Sequence, residues 1–232
     1  TGSLTYGEGV SVAGSYSGSN VVLVKYDSSG TALWAKSVTA GDSYSLFNSV
    51  AVDSSGNVYA AGSQGGTGSL TYGEGVSVAG SYSGSNVVLV KYNSSGTALW
   101  AKSVTAGTSP SEFNSVAVDS SGNVYAAGYK YNTGSLTYGE GVSVAGSYSG
   151  SNVVLVKYDS SGTALWAKSV TAGDSYSLFN SVAVDSSGNV YAAGSQGGTG
   201  SLTYGEGVSV AGSYSGSNVV LVKYNSSGKA LW

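Results

Sequence analysis

Apolar and polar residues alternate with a period of two through much of the chain. In the segment 48–53, Val50 and Val52 are separated by Ala51 and preceded by Ser49. Because successive side chains of a strand point to opposite faces, this spacing predicts β-strands, and no segment shows an apolar stripe at helical spacing. Val, Leu, Tyr and Trp, which favour pleated and packed surfaces, enrich the same segments. The chain is therefore predicted to be almost entirely β.

The predicted strands form two hairpins. One hairpin joins 48–53 to 57–62, and the other joins 20–26 to 32–38. Each connection reads Asp-Ser-Ser-Gly, in which the glycine accepts a positive φ and the aspartate side chain can accept hydrogen bonds from the turn amides. These turns are the main evidence for antiparallel strand pairs.

The segment between the two hairpins is rich in glycine and serine. A structureless loop of roughly twenty residues would be unusual in a compact domain. Residues 3–7 and 10–14 each alternate between apolar and polar positions. We therefore predict a short accessory hairpin here, with its turn at Glu8 and Gly9.

The whole pattern repeats with a fixed step of 66 residues, starting from a string that reads TGSLTYGEGVSVAGSYSGSNVVLVKY. The first and third units are identical, and the second differs from them at eight positions. A period of this size is typical of repeat proteins, in which each unit buries its apolar face against its neighbours. We interpret residues 1–232 as one repeat domain, composed of units 1–66, 67–132 and 133–198 and the half unit 199–232.

Four strands with tight turns at a fixed period predict a β-propeller fold, with four-stranded antiparallel blades that each carry an accessory hairpin. A β-solenoid is the alternative, although its coils are usually shorter and need no paired hairpins. By strand order, the chain has a half blade at 20–38, blades at about 48–104 and 114–170, and a last blade that starts at 180 and is cut short.

Two motifs in each unit resemble a known family. KYDSSGTALWAKSV occupies 25–38 and FNSVAVDSSGNVYAAG occupies 47–62, and the pair recurs at 91–128 and 157–194. In this order the motifs resemble the bacterial β-propeller repeat known as the SBBP repeat. The resemblance implies four-stranded blades, often found in large secreted or surface proteins. It brings no catalytic residue with it.

Composition excludes several classes of function. Charged residues make up only 9% of the chain, the net charge is −3, and no His, Cys, Met or Arg is present. Nucleic-acid binding needs clustered positive charge, which this chain does not supply. No apolar run approaches the roughly 20 residues of a membrane-spanning helix, so no membrane insertion is expected. Without His or Cys we predict no enzyme and no catalytic or cofactor-binding residue. Low charge together with abundant Gly, Ser and Tyr leads us to expect an extracellular or cell-surface protein.

Acidic side chains recur in the predicted turns. Asp53, Asp119 and Asp185 each open a DSSGN turn, but they offer one carboxylate where a calcium loop needs several. We interpret them as turn caps. Glu8 and its repeats are interpreted as solvated charges at the hairpin tips, so no metal site is predicted.

Aromatic residues are the candidates for ligand binding. Trp34 and its repeats are expected to pack between blades, with a sugar platform as the alternative. Tyrosine together with serine and glycine is also the composition of adaptable binding loops. The predicted ligand-binding residues, for glycans or surface proteins, are Tyr6, Tyr72, Tyr138 and Tyr204 of the accessory hairpins, and Tyr129 and Tyr131.

The second unit is where the chain departs from strict repetition. All of its differences fall in predicted turns or connections, where variation is expected because packing holds the strands. Asn93 and Asn225 also create N-S-S patterns for glycosylation. The eight differing residues are Asn93, Thr108, Pro110, Glu112, Tyr129, Lys130, Tyr131 and Asn132.

Three and a half units do not close a propeller, so the arc is expected to expose apolar faces and unpaired strand edges. Two chains would hold seven units, which makes a homodimer the leading assembly, with domain exchange, an open array or an excerpt of a longer chain as alternatives. We expect a non-catalytic structural scaffold; a multivalent lectin-like module and an engineered or consensus propeller are the alternatives. Identical units also predict slow folding and swapped oligomers.

Overall fold

The computed structural model describes residues 2–232, and within this range every regular element is a strand. The prediction of an all-β chain is confirmed. The short strands of the accessory hairpins are β1 (Ser3–Thr5), β2 (Ser11–Ala13), β7 (Ser69–Thr71), β8 (Ser77–Ala79), β13 (Leu136–Thr137), β14 (Ser143–Val144), β19 (Ser201–Thr203) and β20 (Ser209–Ala211).

The remaining strands form four antiparallel sheets, and their bounds are as follows. They are β3 (Leu23–Tyr26), β4 (Ala32–Lys36), β5 (Ser45–Val52), β6 (Val58–Gly65), β9 (Ser85–Tyr92), β10 (Ala98–Lys102), β11 (Ser111–Val118), β12 (Val124–Tyr131), β15 (Ser151–Tyr158), β16 (Ala164–Lys168), β17 (Ser177–Val184), β18 (Val190–Gly197) and β21 (Ser217–Tyr224).

Three of the four sheets combine strands from two consecutive sequence units. Sheet 1 has the order β5-β6-β9-β10, and sheet 2 has the order β11-β12-β15-β16. Sheet 3 contains β17-β18-β21, with the amide of Leu231 donating to the carbonyl of Lys223 at 2.8 Å on its outer edge. The strands β3 and β4 form a separate half sheet. The strands are thus grouped in the predicted order: a half at 20–38, two groups that start near 48 and 114, and a last group that starts near 180 and lacks a complete fourth strand.

The Asp-Ser-Ser-Gly turns form as predicted. The Asp53 carboxylate accepts hydrogen bonds from the backbone amides of Ser55 at 3.0 Å and Asn57 at 2.9 Å. The amide of Gly56 donates to the carbonyl of Asp53 at 3.0 Å, with Gly56 at φ 78°. Glycine is favoured at this left-handed position because it lacks Cβ. The turn therefore fixes which residues of β5 and β6 face each other.

The predicted accessory hairpin is also confirmed. Leu4 lies opposite Val12, and the tip residues Glu8 and Gly9 have φ values of 48° and 77°. Two successive positive φ values are those of a type I′ turn, whose twist suits a two-residue hairpin. In the next unit, the amide of Thr71 donates to the carbonyl of Ala40 at 2.9 Å, so this hairpin is tied to the segment that follows the half sheet.

The apolar core lies between consecutive sheets. We call the side of a sheet that packs on the following sheet its forward face and the opposite side its backward face. Sheets with alternating side chains bury both faces when they are stacked in this way. In sheet 1 the forward face comprises Tyr59, Ala61, Val87 and Leu89, and it packs on a backward face of sheet 2 that includes Phe113, Val116, Val124, Ala126, Val154, Val156 and Tyr158.

The same interface is repeated between sheets 2 and 3. Its forward side is formed by residues 66 positions later, Tyr125, Ala127, Val153 and Leu155. Leu23 of the half sheet and Val21, which precedes β3, contribute to an equivalent but smaller interface with sheet 1. Burial of one such Val or Leu side chain is worth about 1.5–3 kcal/mol, so stacking is a main source of stability.

Candidate functional site

The predicted ligand-binding tyrosines of the accessory hairpins are largely core residues. Tyr72, Tyr138 and Tyr204 are at most 1% exposed. The hydroxyl of Tyr72 donates to the Oε1 of Gln64 at 2.9 Å, which orients the ring inside the core. These three rings have no free face for a ligand, whereas their equivalent Tyr6 is half-buried because no sheet covers it.

Tyr129 and Tyr131, the other two candidates, lie close together at the end of β12. Their rings meet edge to face with centroids 5.9 Å apart, and Tyr131 is 42% exposed. The Tyr129 hydroxyl donates to the Oε2 of Glu112 at 3.0 Å. Burial and the charge of Glu112 raise the pKa of Tyr129 above its usual value. This pair is a surface feature of the second unit, held in place by a carboxylate.

Most of the second unit's differences are brought together in space. Glu112 lies directly opposite Tyr129 in the β11–β12 register. Ser109 donates from its hydroxyl to the Oδ1 of Asn132 at 2.9 Å. The sequence shows these substitutions as two separate groups, and only the strand pairing of β11 with β12 joins them. The prediction that all eight differences lie in turns or connections is wrong for Glu112, which lies in β11, and for 129–131, which lie in β12.

One pair of these differences moves an aromatic ring from the residue before the first strand of a sheet to the neighbouring strand. In the first unit, a Cβ added at Gly65 would overlap the Oγ of Ser43 and lie 2.5 Å from the ring of Tyr44. In the second unit the same two positions hold Tyr131 and Pro110. The aromatic side chain has moved to the neighbouring strand as the glycine is lost. Loss of the Tyr44 ring removes one of the two close contacts, while Ser43 is retained as Ser109.

Lys130 is a buried cation that sequence reasoning did not single out. It replaces the Gln64 of the first unit, and its Nζ donates to the backbone carbonyls of Tyr131 at 3.1 Å and Asn132 at 2.6 Å. Burial lowers the pKa of the Lys130 amine to about 8. Within residues 2–232 the buried hydroxyl of Tyr138 has no hydrogen-bond partner, unlike that of Tyr72. The substitution thus removes one buried hydrogen bond.

The aspartates that open the DSSGN turns act within their own turns. Burial alone would raise the pKa of Asp53, but hydrogen bonds from Asn57, Tyr59 and the turn amides outweigh it and lower the value. These donors occupy both carboxylate oxygens. The described part of the chain contains no group of three or more His, Cys, Asp or Glu side chains placed to hold a metal ion. The turn-capping interpretation is therefore the one with structural support.

Three of the four tryptophans, Trp34, Trp100 and Trp166, pack between sheets, whereas Trp232 is 52% exposed. The indole Nε1 of Trp100 donates to the carbonyl of Ser160 in the following sheet at 3.2 Å, and its ring lies 6.1 Å from that of Tyr59. Lys91 donates to the same carbonyl at 3.1 Å while its Nζ lies 5.1 Å from the centre of the Tyr59 ring. This arrangement recurs 66 residues later, so it belongs to the repeated interface.

An incomplete copy of the interface is exposed at each end of the stack. On sheet 3, Val219 is 90% exposed, whereas Val153, its equivalent in sheet 2, is fully buried. At the other end, Leu4 of the first accessory hairpin and Tyr26 of β3 are exposed, although their equivalents Leu70 and Tyr92 are buried. The chain thus presents an uncovered forward face and an uncovered backward face. Inside the stack, the equivalent forward and backward faces carry the same residue types and pack against each other.

A groove separates the half sheet from sheet 1. It has a volume of about 300 Å³ and is lined mainly by apolar side chains. Val50 and Val52 of β5 are 53% and 59% exposed here, whereas Val116, the equivalent of Val50, is buried. The groove lies where the first two strands of a complete sheet would stand. We take this groove and the free edge of β3 beside it as the candidate functional site; its lining residues are Leu23, Val24, Lys25, Tyr26, Trp34, Val50, Val52, Gly56 and Val58.

Comparison with known proteins does not assign the chain to a family. No protein-family model matches it, and no curated protein sequence is significantly similar. In residues 2–232 no helix is long and apolar enough to cross a membrane. Functional interpretation therefore depends on the surfaces described above.

Proposed function

We propose that this protein is a non-catalytic structural repeat scaffold that assembles through its own repeat interface into an oligomeric β-propeller or propeller array at the cell exterior. The observation that carries the proposal is the reappearance of both halves of the internal interface as uncovered surfaces. The proposed location rests on the low charge and on the resemblance to SBBP repeats, which occur in secreted and surface proteins.

The internal interfaces support a radial arrangement of sheets. The amide of Asn48 donates to the carbonyl of Phe113 at 3.0 Å, and Asn114 contacts Phe179 in the same way. These bonds join the first strands β5, β11 and β17, while the outer strands β10 and β16 lie at the opposite edge of each sheet. Blades of a propeller pack face to face with their first strands nearest the axis. A multivalent lectin-like role has less support, because the rings of three candidate tyrosines are buried.

Self-association follows from the exposed apolar surface. Val50, Val52 and Tyr26 lie around one groove, and contiguous apolar patches on soluble proteins usually mark interaction sites. A second copy of this chain is the proposed partner, because its sheets carry the same faces that pack against each other in the internal interfaces. A heterologous contact of this kind closes into a ring or grows into an open array, depending on the rotation between sheets.

Light scattering over a concentration series tests this function. We expect a species with twice the chain mass of 22.9 kDa, and a Val52→Lys variant should shift it towards the monomer. Leu165→Lys is the matched control, because Leu165 is 46% exposed on the outer strand β16. A wild-type chain that stays monomeric at every concentration would contradict the proposal. Growth without a fixed mass would support the open array.

A further inference from the structure

The strand β18 has two equivalent candidates for its outer neighbour. In the structure it pairs with β21, with Val190 opposite Tyr224 and Gly197 opposite Ser217. Residues 1–34 and 199–232 differ only at Asp27/Asn225 and Thr31/Lys229, both in a turn. Every residue that pairs with β18 therefore has an identical counterpart in 19–26, of which Leu23–Tyr26 form β3. Backbone pairing alone cannot distinguish the two segments.

The half sheet has a free strand edge at the position where β21 pairs with β18. The strand β3 pairs only with β4, so its other edge has no strand neighbour among the described residues. The corresponding strand β9 pairs on both sides. A free edge next to an apolar groove is a ready site for strand addition, because backbone groups there gain partners as side chains are buried. The missing neighbour is a strand pair of the β17–β18 type.

The β17–β18 pair would bury different side chains beside β21 of its own chain than beside β3 of a second copy. Beside β21, the forward-face residues Tyr191 and Ala193 of β18 remain partly exposed. Their equivalents Tyr125 and Ala127 are fully buried. Beside β3, the β17–β18 pair would lie in the groove and cover Val50 and Val52 of β5. Replacement of one half unit by the other therefore keeps the strand pairing and adds an apolar interface.

We propose that two copies of the chain exchange half units, with the half sheet β3–β4 of one copy replacing residues 199–232 of the other beside β18. Reciprocal exchange yields six complete four-stranded sheets, because each copy contributes sheet 1, sheet 2 and one exchanged sheet. Residues 199–232 of each copy then lie outside the stack. Exchange of identical elements is a low-cost route to a dimer, since the exchanged contacts exist already in the monomer.

Engineered cysteines test the exchange in the full chain, which has no cysteine of its own. Ser195 lies opposite Val219 in the β18–β21 register, and Val21 is the equivalent of Val219. Opposite residues of antiparallel strands have Cα atoms about 4.5–5.5 Å apart, which suits a disulfide. The variants Val21→Cys and Ser195→Cys are mixed, unfolded and refolded together, and then oxidised. Mass spectrometry identifies the linked peptides.

The expected product is a disulfide that joins one copy of each variant. Its yield should be several-fold higher than the yield of disulfides that join two copies of the same variant. The control is the double variant Ser195→Cys/Val219→Cys, which reports an unexchanged β21 by forming a bridge within one chain. Exchange predicts that this bridge becomes rarer when refolding takes place at high protein concentration. A complete bridge at every concentration, without mixed disulfide, would overturn the inference.

A second cysteine pair guards against a folding defect. The second pair is Lys25→Cys and Tyr191→Cys, because Tyr191 lies opposite Lys223, the equivalent of Lys25. Both positions are half-buried, so the substitutions disturb the core less. The proposed exchange rests on the proposed self-assembly, but different results would contradict each of them. A mass of two chains without mixed disulfides would overturn exchange and leave the scaffold proposal standing. A monomer at every concentration would overturn both.

Discussion

The side-chain amide of Asn114 donates a hydrogen bond to the backbone carbonyl of Phe179 at 2.8 Å and thereby joins β11 of sheet 2 to β17 of sheet 3. Asn48 makes the same contact to Phe113, one unit earlier. Asn180 occupies the same position in sheet 3, but it is exposed and makes no side-chain hydrogen bond within the described residues. One residue type in one sequence context thus has two different environments.

This difference predicts unequal effects on stability. We expect Asn114→Ala to lower the free energy of unfolding by about 1 kcal/mol, because the contact between the sheets is lost. Asn180→Ala should change it by less than about 0.5 kcal/mol, as is usual for surface substitutions. Urea unfolding of the two variants beside the wild type measures both values. Equal losses would show that the asparagine does not act through this contact.

A second prediction compares the buried and exposed copies of one valine. Val153→Ala removes buried methyl groups from the interface between sheets 2 and 3 and should cost about 2 kcal/mol. Val219→Ala should cost less than about 0.5 kcal/mol, because the side chain is 90% exposed. The comparison is made by urea unfolding at concentrations where the chain is monomeric. A large loss for Val219→Ala under those conditions would mean that the forward face of sheet 3 is covered.

A third prediction concerns the buried amine of Lys130. Its pKa falls from 10.5 to about 8 on folding, so between these values the unfolded chain binds more protons than the folded chain. Stability should therefore rise with pH from about 8, and the penalty for burying the charge should be fully present below that value. Lys130→Gln should be more stable than the wild type near pH 7, because it also restores a partner for the Tyr138 hydroxyl.

The measurement is urea unfolding between pH 7 and 9.5, with the variant subtracted from the wild type so that other titrating groups cancel. The difference in unfolding free energy should shrink as pH rises. Gln196→Lys, at the equivalent position in sheet 3, provides a matched reverse substitution and should introduce the same pH dependence. A difference that stays constant across this range would show that Lys130 is not charged at neutral pH or is not desolvated.

The sequence alone was sufficient for the local structure. The alternation around Val50 and Val52, the Asp53 turn and the hairpin at Glu8 and Gly9 all depend on contacts within a few residues, and identical units repeat them. For that reason the strands, the turns and their order were predictable. The grouping of strands into a half sheet and three larger sheets followed from the order of the same strand and turn patterns along the chain.

Tertiary structure decided what the repeated residues do. Tyr72 and Tyr6 are identical in sequence context, yet one is buried and the other is half-exposed, because burial depends on whether a neighbouring sheet is present. The contact between Glu112 and Tyr129 likewise arises from strand pairing across a gap in sequence. Sequence determined the unit and its hairpins through local contacts. The stacking of sheets determined which faces are buried and which remain open, because those contacts link residues about one unit apart.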